Sequence, residues 1–237
     1  MEATPALDSM LAPGRTLRPA GANLLSSLPA TDQGAPYDRH AALYDRLIGS
    51  RIYNRLAWGT RPTEYRAFAA EALAAGEGAF LDGGCGTLVF TADGYRDATR
   101  PIVAVDRSLG MLGRAAERLH GGAPAVLVQA DLMDLPFAPG QFDTVACFAM
   151  LHVLDDPWAV LAALRDQLAP GGRLFASMLV SDRRAGRAYM RVLRRAGEVG
   201  APRSADELTA AARRVFGASA EVRRSGSMVW LRATAGG

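Results

Sequence analysis

A chain of 237 residues, 49% of them hydrophobic, can bury one sizeable core and is short for two independent domains. Its 27 basic residues, all arginine, stand against 24 acidic ones, and a surplus of +3 is too small to imply a nucleic-acid partner without a clustered stripe. No stretch reaches the roughly 18 uninterrupted apolar residues that span a bilayer, and the N-terminal residues lack the pattern of a secretory leader. The two cysteines, Cys85 and Cys147, sit in apolar segments. That pattern fits a reducing compartment and packing roles better than a disulfide scaffold or a zinc site, so a cytoplasmic protein without metal is expected.

Residues 1–36 are rich in Ala, Pro, Ser and Gly without sustained periodicity and read as a flexible N-terminal arm before a single domain, 37–237. Ala41, Tyr44, Ile48 and Ile52 recur at three and four residues, the spacing of an amphipathic helix, so 37–60 is expected to be a helical lid. A second helix is predicted over 62–75, with Pro62 in its first turn and Gly76 beyond its last. Short apolar runs then alternate with helical patterns, as a parallel sheet with crossover helices requires. The predicted strands are 78–82, 101–106, 125–129, 142–148 and 173–180; the predicted helices are 87–95, 108–119 and 157–168. Asp156 before Pro157 is a good cap, and Pro170-Gly171-Gly172 a good stop. Beyond them lie an inserted arginine-rich helix (182–199 in a segment ending near 200), a helix over 205–216 opened by Ser204-Ala205-Asp206-Glu207, and two strands, 219–225 and 228–233, joined by Gly226-Ser227. The fold class expected is α/β, a doubly wound, seven-stranded, mostly parallel sheet with an antiparallel C-terminal hairpin.

Asp82-Gly83-Gly84-Cys85-Gly86-Thr87 follows a predicted strand and precedes a predicted helix, where backbone can approach a ligand closely and a helix N-terminus can face it. A dinucleotide fingerprint would place a third glycine at Val89, and an imperfect G-x-G alone names no cofactor. Asp82 says more: a carboxylate there repels a pyrophosphate and attracts the cationic amino group of S-adenosylmethionine. Asp106, at the end of the second core strand, can accept hydrogen bonds from ribose hydroxyls, a role common to both cofactor classes. Asp131-Leu132 can offer a carboxylate to an adenine amino group and an apolar side chain to its ring.

The segments FLDGGCGTLVF, IVAVDRSLGMLGRA, ADLMDLPF, QFDTVACFAMLHVLDD and LRDQLAPGGRLF resemble, in order, the motifs of class I methyltransferases, especially the small-molecule type 11 group that includes quinone methyltransferases. The resemblance covers about 78–180. It implies a Rossmann-like methyltransferase fold, S-adenosylmethionine as cofactor, and cofactor contacts by Asp82, Gly84, Gly86, Asp106, Met111, Asp131, Leu132, Phe148 and Ala149, with Cys85 and Arg107 beside them in the same loops. The family loop usually carries a further glycine where Leu88 stands.

His152 lies just past the fourth strand, where the pocket of such a sheet opens, and can serve as general base or orient an acceptor; a histidine satisfied in the following turn explains it equally. Tyr37, Tyr44 and Trp58 are candidates for an aromatic lid over the acceptor, though such stripes more often pack. Arg183, Arg184, Arg187, Arg191, Arg194 and Arg195 put several charges on one helix face, which attracts an anion or is simply solvated. The expected activity is methyl transfer to a small organic molecule. Its rivals are a repurposed, non-methylating cofactor binder, motivated by Leu88, and a nicotinamide oxidoreductase, disfavoured by Asp82 and Val89.

Overall fold

Successive side chains of a strand point to opposite faces of its sheet, and the central strands here are apolar at both parities. In the computed structural model, Phe80, Ile102, Ala104, Leu127, Ala146 and Phe175 enter one core, while Leu81, Val103, Val105, Val128, Val145 and Leu174 enter another on the opposite face. The structure describes residues 7–21, 23–29, 59–120, 124–195, 197 and 199–236. The lid expected over 37–60, with Tyr37, Tyr44 and Trp58, lies outside them apart from Gly59 and Thr60.

Nine strands form one sheet: β1 (Arg18–Gly21), β2 (Leu24–Ser26), β3 (Phe80–Gly83), β4 (Ile102–Asp106), β5 (Ala125–Gln129), β6 (Phe142–Cys147), β7 (Leu168–Leu179), β8 (Glu221–Ser225) and β9 (Met228–Thr234). Their spatial order is β1-β2-β5-β4-β3-β6-β7-β9-β8. Strands β2 through β7 pair in parallel, and β9 joins β7 antiparallel before turning back as β8, the expected closing hairpin. Helices α1 (Pro62–Leu73), α2 (Ala92–Arg96), α3 (Leu109–Leu119) and α5 (Arg184–Arg195) contribute to the core holding Phe80; α4 (Pro157–Asp166) and α6 (Ala205–Phe216) cover the other. The expected caps form: Asp156 accepts from the amides of Trp158 and Ala159, and Ser204 and Glu207 close a reciprocal box.

The count is nine rather than seven because part of the segment read as a flexible arm joins the sheet. β1 and β2 pair antiparallel, and β2 lies parallel on the edge strand β5, where the buried Ser26 hydroxyl donates to Gln129 Oε1 at 2.7 Å. Strands this short carry no readable alternation; a partner about 100 residues away in sequence supplies their pairing. β7 also starts earlier than expected. Residues 168–172 continue straight from the end of α4 into the sheet, with a register shift against β6 between Phe142 and Thr144.

Trp230 on β9 is fully buried against Tyr65 and Phe68 of α1, edge-on to both rings at centroid distances of 5.1 and 4.9 Å. Its Nε1 has no hydrogen-bond partner among the described residues. Trp230→Ala is therefore expected to cost about 3–5 kcal/mol in cavity and lost burial, and Trp230→Phe less than about 1.5 kcal/mol. Urea midpoints at unchanged slope measure both.

Candidate functional site

Neighbours of β3 are β4 on one side and β6 on the other, so the order of the sheet reverses at the end of β3, the place where such folds open a crevice for ligands. Past that end the chain takes a left-handed backbone at every second residue: Gly84 at φ 75°, Gly86 at 55° and Leu88 at 56°. That alternation delays α2 to Ala92, so the helix expected from 87 begins five residues late. A side chain at Gly84 would meet Met150 Cγ at 2.5 Å, whereas beside Gly86 there is open space. Only glycine fits the first position, and at the second the backbone is left bare for a ligand.

The amides of this loop turn inward. Gly84 and Cys85 both donate to the Val105 carbonyl, at 2.8 and 2.9 Å, and Gly86 donates to Asp106 Oδ2 at 2.8 Å. The other Asp106 oxygen accepts from the Ser108 amide at 2.9 Å, and Ser108 caps α3 by accepting from the Met111 amide at 3.0 Å. Asp106 thus braces the loop and the start of α3 together. A carboxylate has about four lone-pair positions, more than these two bonds occupy. Three amides spent internally cannot cradle a pyrophosphate, which is the use a dinucleotide loop makes of them.

Asp82 has the parity of Phe80 and therefore points to the face that holds α2. It is 1% exposed; Tyr95 of α2 donates to its Oδ2 at 2.8 Å, and its Oδ1 has no partner among the described residues. Burial pushes this carboxyl up to about 7 against the pull of the Tyr95 hydroxyl, with the Asp106 charge adding to the rise. The Cys85 thiol is pushed well up by burial and by both aspartates, which leaves it protonated and inert.

The remaining predicted contacts lie on the segments that follow β4, β5 and β6. Asp131 pairs with Arg107 and accepts from the Met133 amide at 2.9 Å, so these two candidates act on each other. Leu132 is 7% exposed and lies, with Leu164, close against Gly83. Met111 is buried in the first turn of α3. Phe148 stands edge-on to Phe68 at 5.8 Å, and Ala149, at φ 52°, is held by its amide on the Ser177 hydroxyl at 2.9 Å. His152 sits in a 3₁₀ turn (Leu151–Val153), buried, with Nδ1 unpartnered among the described residues and its pKa pushed down by burial to about 4. Its carbonyl accepts from the Gly200 amide at 3.0 Å, so the segment after α5 is clasped to this turn.

Sequence reasoning missed four supports: Tyr95, Met150, Ser177 and Arg118, whose guanidinium donates to the Thr87 carbonyl at 2.6 Å. None has a local signature, because each meets its partner across the fold.

Residues 81–176 match the type 11 family of methyltransferase domains. The match covers less than half of the chain. Stretches of it are similar to the Synechococcus sp. protein syc1184_c (38% identity over 117 residues, 48% of this chain and 28% of that protein). They are also similar to the ubiquinone biosynthesis O-methyltransferase of Xanthomonas euvesicatoria pv. vesicatoria (36% identity over 103 residues, 42% of each chain). The matched part of the chain spans less than half the length of these relatives. The fold is shared with the phosphoethanolamine N-methyltransferase 2 of Haemonchus contortus, solved with phosphomonomethylethanolamine and S-adenosylhomocysteine (TM-score 0.67, 14% identity, 87% of this chain and 60% of that one).

Within the loop after β3, Leu88 trades backbone strain for burial. A left-handed non-glycine residue costs about 1–2 kcal/mol, while a buried leucine side chain is worth about 2–5 kcal/mol and glycine adds about 0.5–1 kcal/mol of flexibility. Leu88, 1% exposed, should therefore be the more stable choice. Leu88→Gly is expected to destabilise by about 1–4 kcal/mol in urea unfolding, and a gain in stability would mean that strain dominates. The raised Asp82 pKa gives a second expectation. Folded chain binds this proton more tightly than unfolded chain, whose carboxyl has the ordinary value of 3.8, so the contribution is complete below about pH 4 and lost as pH rises through about 7. Asp82→Asn should flatten that decline when unfolding free energies are compared at pH 5 and pH 8; an unchanged slope would exclude Asp82 as its source.

Proposed function

We propose that this chain binds S-adenosylmethionine in the crevice past β3 and β4 and passes its methyl group to a small organic acceptor in the cytoplasm. The observation that carries the reading is the buried Asp82 with one unpartnered oxygen beside a glycine loop whose amides face inward. Such a site asks for a cation, and an α-ammonium group meets that demand; a pyrophosphate meets two carboxylates and no free amides at Gly84, Cys85 and Gly86. The same geometry weighs against the nicotinamide reading. The domain family and the similarity to O-methyltransferases support transfer over a repurposed binder, and product mass separates the two, since only transfer adds a methyl group.

The cofactor supplies an electrophilic methyl on a sulfonium, already activated, so no metal is needed. The chain's part is to bind, orient and exclude water. Asp82 holds the ammonium, Asp106 takes the ribose hydroxyls with its remaining lone pairs, and the bare face of Gly86 lets backbone lie against the ligand. Asp131, steadied by Arg107, is offered to the adenine amino group; Phe148 and Ala149 line the far side. His152 is neutral at pH 7, yet a pKa of about 4 makes it a weak match for an acceptor hydroxyl near about 10. Its reading is therefore a hydrogen-bond partner that orients the acceptor, and His152→Ala should raise KM for the acceptor more than it lowers kcat. A fall in kcat alone would restore it as base. Tyr37, Tyr44 and Trp58 remain proposed for the roof.

Calorimetric titration with S-adenosylmethionine and its demethylated product, with NAD as control, tests the cofactor. Both sulfur compounds are expected to bind, and Asp106→Ala to weaken both. If Asp82 must ionise to hold the ammonium, about one-tenth is ionised at pH 6 and nine-tenths at pH 8, so affinity should rise about tenfold between them. Affinity independent of pH would remove Asp82 from that role, and preference for NAD would overturn the reading.

A further inference from the structure

Several arginines are held by partners. Arg100, Arg107, Arg203, Arg224 and Arg232 pair with carboxylates, and Arg187 donates to the Ser181 carbonyl at 3.0 Å. Arg191, Arg194 and Arg195 do not: all three are exposed, and none has an ion pair or side-chain hydrogen bond among the described residues. They line, with Pro202, a cleft of about 390 Å³.

Their grouping is forced by the helix that carries them. Met190 of α5 is fully buried and Gly186 backs onto Ser227, while Arg191, with Arg194 and Arg195 three and four residues on, forms one exposed row near the end of the helix. Like charges at that spacing repel, and no acidic residue occurs within α5 itself; the next one along the chain, Glu198, lies outside the described residues. The nearest carboxylate before α5, Asp182, is occupied by Arg224 and the Ala205 amide. The negative end of the helix dipole favours cations by about 0.3–1 kcal/mol each, which explains a basic last turn but not three guanidiniums around one cleft. A bound anion relieves that repulsion, and planar guanidinium forks match the oxygens of a phosphate.

The cleft also has a fixed place. Pro202 belongs to the segment clasped to the His152 turn through Gly200, and Arg203 next to it stacks over Trp158 at 5.8 Å and donates to the Asp155 carbonyl. It therefore opens beside the chain that leaves the carboxyl end of β6.

We propose that Arg191, Arg194, Arg195 and Pro202 form a binding site for a phosphate group carried by a soluble small molecule. The site stands on the cleft and on three arginines without a partner among the described residues, and does not require the methyl-transfer reading.

Inorganic pyrophosphate is the probe, titrated calorimetrically into the full chain at constant ionic strength. Saturable binding near one equivalent is expected, weakened at least tenfold in R191Q/R194Q/R195Q and unchanged in R66Q/R213Q/R214Q, which removes the same charge from exposed positions elsewhere. Absence of saturable binding, equal weakening in both variants, or binding to phosphatidylglycerol vesicles without binding to pyrophosphate would each overturn the proposal. S-adenosylmethionine binding is measured alongside and should be the same in all three proteins. A failed cofactor titration with intact pyrophosphate binding, or the reverse, tells which of the two readings is wrong.

Discussion

The end of β4 holds the site together. The Val105 carbonyl takes two amides of the neighbouring glycine loop, and the next residue, Asp106, takes a third with one oxygen while seating Ser108 at the head of α3 with the other. Four backbone amides from two elements thus converge on two consecutive residues of one strand. The loop can then hold its left-handed backbone at positions 84, 86 and 88.

What that bracing leaves over is electrostatic. With the loop's amides consumed, the charges facing the crevice are those of Asp82 and Asp106, one buried and half-satisfied, the other partly exposed. Burial and the Asp106 charge both raise the cost of ionising Asp82, an arrangement that favours a cationic ligand group over an anionic one. The proposed phosphate cleft carries the opposite sign on α5.

Leu88 shows how a departure from a family pattern can be absorbed. A glycine there would meet the left-handed backbone at no cost, but the leucine side chain drops into the core shared with Tyr65, Phe80 and Tyr95, and burial outweighs strain. Its contact with that core also ties the loop to the helix that supplies Tyr95 to Asp82. The substitution is thus a local exchange of backbone ease for packing, and it leaves the neighbouring glycines, which face the crevice, untouched.

Much was legible along the chain because it depends on near neighbours. Alternating apolar runs, caps at Asp156 and Ser204, and glycines at positive φ are set within a few residues, so the parallel sheet, its closing hairpin, the loop and Asp82 and Asp106 could all be read directly. Contacts between distant segments could not. The edge strands β1 and β2 exist only because β5 offers unpaired backbone, Arg107 and Asp131 are brought together from adjacent strand ends, and Tyr95, Arg118 and Met150 reach the loop across the fold. The direction of the loop's amides was likewise a tertiary matter: the sequence by itself determined where a ligand loop would form, which carboxylates would flank it and hence which sign of ligand charge to expect, but which hydrogen bonds that loop kept for itself was decided only when β4 came to lie beside β3.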